Sequence, residues 1–149
     1  MKTLVRFAML AILVCALLPS SMHAQAVNTS GITTAALGRT SSTCYLESAA
    51  STNATSCKGS AGGILAIHAT NTTNTAYYLR MYNLASAPTC SSATGFVETI
   101  PIFANLPNGR ATTSPQGYSA GIGFCLTGGG SSTDNTAAAT GVYITILFQ

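Results

Sequence analysis

Charge is what this sequence has least of: six Lys and Arg and three Asp and Glu serve 149 residues. A soluble domain usually carries charge on about a quarter of its residues. Nucleic-acid binding needs a basic stripe that neutralises phosphates, and a few scattered cations do not make one. Tryptophan is absent, and there are only two histidines. The three carboxylates, Glu47, Glu98 and Asp134, are spread along the chain with nothing to link them, which speaks against the paired acid and base of a glycosidase. No Cys-x-x-Cys pair and no alternating Asp/Asn calcium loop occurs, so the commonest signatures of zinc sites and calcium loops are missing. The residues thus predict a non-enzymatic chain with no cofactor and no metal.

Long apolar runs are also scarce. The one exception, Phe7 to Leu18, follows Lys2 and Arg6 and precedes Pro19, Ser20 and Ser21. Charged start, apolar middle and small residues near a cut are the parts of a secretory signal. The run is too short to cross a bilayer, which takes about 20 residues. The pattern predicts a signal peptide over residues 1–24, cut after Ala24 or after Ala26. A mature chain would then keep Arg39, Lys58, Arg80 and Arg110 against the three carboxylates, a net charge of +1.

Cys15 would leave with the signal, and Cys44, Cys57, Cys90 and Cys125 would remain. An even count in an exported chain reads as two disulfides. Three pairings are open. Cys44–Cys57 with Cys90–Cys125 is preferred, because the first closes a polar loop and the second ties a loop to a later strand. A zinc site is the alternative, with His68 the only mature histidine to join it.

What is abundant is Thr, Ser, Ala and Gly, with Tyr, Phe, Ile and Val gathered in short runs. Disordered chains lack such runs. Residues 25–57 read as an N-terminal arm and first strand or strands, Thr43 to Glu47 being the candidate, and residues 58–149 as the body of the domain. Within the body, Gly63 to Thr70 reads as a strand by its apolar content. Ala76 to Asn83 alternates: Tyr77, Leu79 and Met81 lie on one face, Tyr78, Arg80 and Tyr82 on the other. Phe96 to Phe103 carries Pro101, which cannot donate to a ladder and so marks an edge or a bulge. On this strand Glu98 shares parity with Phe96, Ile100 and Ile102. Pro107-Asn108-Gly109 and Ser114 to Gly117 carry turn signals around a short strand from Arg110 to Thr113. Tyr118 to Thr127 reads as one glycine-bearing strand. Gly128 to Thr140 reads as a flexible loop. Gly141 to Gln149 closes the chain, with Val142, Ile144, Ile146 and Phe148 on one face, and its apolar content points to a central position. No helical periodicity appears outside the signal. Short strands with regular turn signals predict an all-β fold, an antiparallel β-sandwich of jelly-roll type.

The Tyr78/Arg80/Tyr82 face is the best candidate for binding, since aromatics beside one cation can stack on sugar rings or anchor a protein. The competing reading is that this face is simply a second packed layer. Asn28, Asn53 and Asn71 open glycosylation sequons, as a Thr-rich chain does by chance.

From Lys58 onward the chain resembles the small β-sandwich, virion-associated decoration-like proteins of tailed phages and prophages. The resemblance rests on Lys58-Gly59-Ser60-Ala61-Gly62-Gly63, Ile67-His68-Ala69-Thr70-Asn71, Tyr78-Leu79-Arg80-Met81-Tyr82-Asn83, Ala85-Ser86-Ala87-Pro88-Thr89, Thr99-Ile100-Pro101-Ile102 and Gly121-Ile122-Gly123-Phe124 in that order. It implies a structural module displayed on a capsid or tail, with no catalytic residues. The added signal and cysteines suggest a version adapted to the periplasm or cell exterior, working by self-association as a surface or filament subunit. A secreted glycan-binding or adhesin module is the second reading, and an exported hydrolase the third.

Overall fold

A computed structural model describes residues 33–34 and 39–149, leaving aside the side chains of residues 33, 34, 39 and 110–114. The expected signal peptide, most of the arm up to residue 38 and the Asn28 sequon lie outside the described residues. In chain order the strands are β1 (Thr33–Thr34), β2 (Arg39–Thr40), β3 (Ser42–Glu47), β4 (Thr55–Lys58), β5 (Gly62–Asn71), β6 (Tyr77–Tyr82), β7 (Phe96–Ile102), β8 (Pro107–Tyr118), β9 (Ile122–Thr127) and β10 (Val142–Phe148). No described residue is helical.

β1 and β2 pair with each other, and the other eight strands form two four-stranded antiparallel sheets, β3-β10-β5-β8 and β4-β9-β6-β7. The pairings β3:β10, β4:β9, β5:β8 and β6:β7 describe one long antiparallel ribbon that turns back between β6 and β7. Its successive rungs lie alternately in one sheet and the other. The strands within residues 25–57 include β3, which covers the Thr43 to Glu47 candidate, and β4, and these two form edges of the two sheets.

Period-2 alternation places the core. Ile67 and Ala69 of β5, Leu79 and Met81 of β6, Ile122, Phe124 and Leu126 of β9, and Val142, Ile144, Ile146 and Phe148 of β10 meet between the sheets. Each of the larger side chains among them contributes about 1.5–3 kcal/mol by leaving water. β10 lies between β3 and β5, the central place its apolar content predicts. β7 is an edge strand, one of the two settings that Pro101 marks.

Three local expectations are corrected. Residues 107–109 and 114–117 are not turns: they lie within the single strand β8, whose ladder to β5 breaks where residues 112–115 oppose Leu65 alone. The glycine-bearing stretch from Tyr118 is two strands, with Tyr118 ending β8 and Ile122 starting β9. A register shift between Met81 and Tyr82 leaves Val97 as the extra residue of β7. Phe96 therefore stands with Tyr82 on the outer face, and not with Ile100 and Ile102.

Both preferred disulfides are present. Cys44–Cys57 joins β3 to β4, and so clips the two sheets together along one flank, with Cα atoms 5.5 Å apart. Cys90–Cys125 ties the β6–β7 connection to β9, with Cα atoms 5.9 Å apart. Sulfurs so paired do not form the alternative zinc site.

Candidate functional site

The parity expected for β6 is realised: Tyr77, Leu79 and Met81 enter the core. Tyr78, Arg80 and Tyr82 lie on the opposite side, but they do not form an open binding face. Arg80 and Tyr82 are each 0% exposed, and Tyr78 is half-buried. Two connections fold over them. The β6–β7 connection brings Leu84 and Cys90 onto Tyr82, where Phe96 and Cys125 complete a small second core. The Tyr82 and Phe96 rings meet edge to face at 5.9 Å.

The β9–β10 connection covers Arg80. Its guanidinium donates from Nε to the Thr127 hydroxyl at 3.1 Å, from Nη1 to the Ser131 carbonyl at 2.9 Å, and from Nη2 to the Asp134 carbonyl. It also sits 5.9 Å from the centroid of the Tyr82 ring. A buried charge must be hydrogen-bonded to be tolerated. Here the acceptors are neutral, and most are carbonyls of the very loop that hides the charge. The loop holds itself from the other side through Asp134. The carboxylate accepts from Gly129 N at 2.9 Å, Thr136 Oγ1 at 2.9 Å and Thr136 N at 3.2 Å. Burial tends to raise the Asp134 pKa, but these hydrogen bonds outweigh it and hold the carboxyl below its ordinary range. The Tyr82 phenol is pushed up by burial, against the opposing charge of Arg80.

The Gly128-Gly129-Gly130 run has a packing reason. A Cβ on Gly130 would come within 3.0 Å of the Tyr78 ring, one on Gly129 within 2.7 Å of the Asp134 carboxylate, and one on Gly128 within 2.8 Å of Thr136. The loop lies flat on the sheet because it has no side chains there. Composition alone makes this stretch look flexible.

The other titratable residues are dispersed. His68 is exposed on β5, Glu47 on β3, and Glu98 lies on β7. Among the described residues no group of three or more His, Cys, Asp or Glu could hold a metal. The two sequon asparagines that are described are structural. Asn53 Nδ2 donates to the Ala49 and Ser51 carbonyls at 3.0 and 2.8 Å. Asn71 Nδ2 donates to the Thr75 and Ile102 carbonyls at 2.8 and 3.3 Å.

What the sequence did not disclose is the opposite flank, between β7 and β8. No disulfide closes it, and a cleft of about 220 Å³ opens between the sheets. Ile67, Ala69, Ile100, Pro101 and Ile102 line it together with Phe103. Phe103 and Leu106, in the β7–β8 turn, are each 53% exposed. Two large apolar residues around an Ala-Asn pair were the available signal. It was masked because Pro107-Asn108-Gly109 offers a stronger turn motif just downstream.

The chain matches no family model, no curated protein and no solved structure. The geometry itself consumes the aromatic and cationic groups of β6 in holding loops, and leaves other apolar side chains exposed.

Proposed function

We propose that this chain is an exported, non-enzymatic structural module of the jelly-roll class, displayed on a particle, filament or cell surface. The resemblance to phage decoration proteins implies this role. The strand order supports the jelly-roll assignment: a ribbon of four paired rungs, wrapped so that the rungs alternate between two sheets, is the double Greek key of that class. Two disulfides fit an oxidising compartment. No helix among the described residues is long and apolar enough to cross a membrane.

The observation that carries the assembly reading is the kind of surface left open. The shell is nearly free of charge, so packing against a partner desolvates few ions, each of which would cost several kcal/mol. Tyr45, Val97, Phe103 and Leu106 are between 41% and 60% exposed. Light scattering on the oxidised mature protein tests the reading: multimers are expected, and a strict monomer at high concentration opposes it.

A second reading keeps a glycan as partner, on other residues than Tyr78, Arg80 and Tyr82. Tyr45 and Tyr143 are 60% and 36% exposed on the outer face of the β3-β10-β5-β8 sheet. Register makes them diagonal neighbours, with Tyr45 opposite Thr145 and Tyr143 opposite Glu47. Glycan-array binding that is lost in Tyr45→Ala and Tyr143→Ala would favour this reading.

A further inference from the structure

We propose that the open β7/β8 flank is a self-complementary interface that takes a second copy of this chain. The inference rests on the assembly reading above and names its contact.

The flank has two parts that fit each other. One is the cleft, whose floor is the core itself: Ile67, Ala69 and Ile102 are 2%, 4% and 1% exposed. At about 220 Å³ it falls below the roughly 300–1,000 Å³ of small-molecule sites, and it suits one or two side chains. The other part is the knob at its edge, Phe103, which also forms part of the cleft wall, and Leu106. The turn that carries them is fixed by hydrogen bonds. Asn105 N donates to the Thr73 carbonyl at 3.1 Å, and Asn105 Nδ2 to Asn74 Oδ1 at 3.0 Å. Asn108 Nδ2 donates to the Leu106 carbonyl at 2.9 Å. Asn105 itself holds φ at 55°, in the left-handed region that asparagine tolerates. The two apolar side chains are therefore presented with little backbone ordering left to pay for at docking.

A two-fold interface requires one patch to be complementary to itself. A knob next to a hole of side-chain size meets that requirement: each copy places its Phe103 in the other's cleft. An added peptide strand fits less well. Pro101 removes a donor from the β7 edge, and the β8 ladder is broken at residues 112–115. None of the cleft-lining residues is ionisable, so two copies meet there without repulsion between like charges. The opposite flank is clipped by Cys44–Cys57. A specific interface buries about 800 Å² per partner, so the knob and cleft form only its centre.

Sedimentation velocity on the oxidised mature protein, with Phe103→Asp, Leu106→Asp and Tyr45→Asp beside the wild type, tests this. Each variant is first checked for wild-type circular dichroism and intact disulfides. The wild type is expected to associate. Phe103→Asp and Leu106→Asp should weaken association by roughly thirtyfold or more, as loss of a central anchor does, and Tyr45→Asp should not. Hydrogen exchange on the unmutated protein supplies a readout that no folding defect can mimic: protection over residues 100–108 should rise with concentration. Association that survives both aspartates, without that protection, overturns this inference and leaves the assembly reading standing. A monomer at every concentration overturns both. A dimer that forms through this flank but builds nothing larger supports the inference and counts against a filament or particle lattice.

Discussion

Replacing Arg80 by Met removes a buried cation beneath the β9–β10 loop while keeping a long side chain on β6. The guanidinium donates to the Thr127 hydroxyl and to the Ser131 and Asp134 carbonyls. Hydrogen bonds from a charged donor contribute about 1.5–3 kcal/mol each. Against them stands the desolvation of a fully buried cation, which costs several kcal/mol. Methionine avoids that cost and packs against Tyr82, but the two loop carbonyls lose their partner and recover water only if the loop lifts. The net loss of stability should be about 2–4 kcal/mol, read as a lower urea midpoint with an unchanged slope. Hydrogen exchange should quicken over residues 128–136 well before the core opens. Arg80→Lys should recover little of this, since one ammonium cannot span three separated acceptors as the planar fork does. A loss under about 1 kcal/mol with unchanged loop exchange would refute the reasoning, and would mean that Gly130 on Tyr78 and the Asp134 bonds hold the loop by themselves.

Further outcomes follow from the same structure. Because the Asp134 carboxyl has a lowered pKa in the fold, its contribution is present at neutral pH and is lost as pH falls below the ordinary carboxyl range; Asp134→Asn should flatten that acid limb of a stability-versus-pH curve. Removing Cys44–Cys57, which spans 13 residues, should cost about 3 kcal/mol, and removing Cys90–Cys125, which spans 35, about 4 kcal/mol on the chain-entropy account, measured by urea titration of paired Cys→Ser variants. Asn53 stands at φ 49° with both amide hydrogens used, so Asn53→Ala should cost about 1–3 kcal/mol. Natively folded material from a glycosylating host should show no added glycan mass at Asn53 or Asn71.

Much of the fold was legible because it depends on local pattern. Alternation in Tyr77–Tyr82 and Val142–Phe148 gave the inner faces correctly, Pro101 marked an edge or a bulge, and the polar loop from Ser48 to Ser56 made Cys44–Cys57 the preferred pair. The misread parts depend on what lies across space. Whether Tyr78, Arg80 and Tyr82 face solvent is decided by loops whose Gly, Ser and Thr content looks mobile, and whose order comes from Arg80 about 50 positions earlier. The Val97 bulge moves Phe96 to the other face with no mark in the sequence. Residues 107–109 have turn chemistry, yet β5 offers them a ladder and the ladder prevails. The β7/β8 cleft exists only once two edge strands stand side by side.

The most direct measurement is electron microscopy of the purified, oxidised mature protein, imaged alone and beside Phe103→Asp. Ordered oligomers, fibres or decorated particles that disappear in the variant are what the account predicts. Isolated single domains in both samples would contradict it.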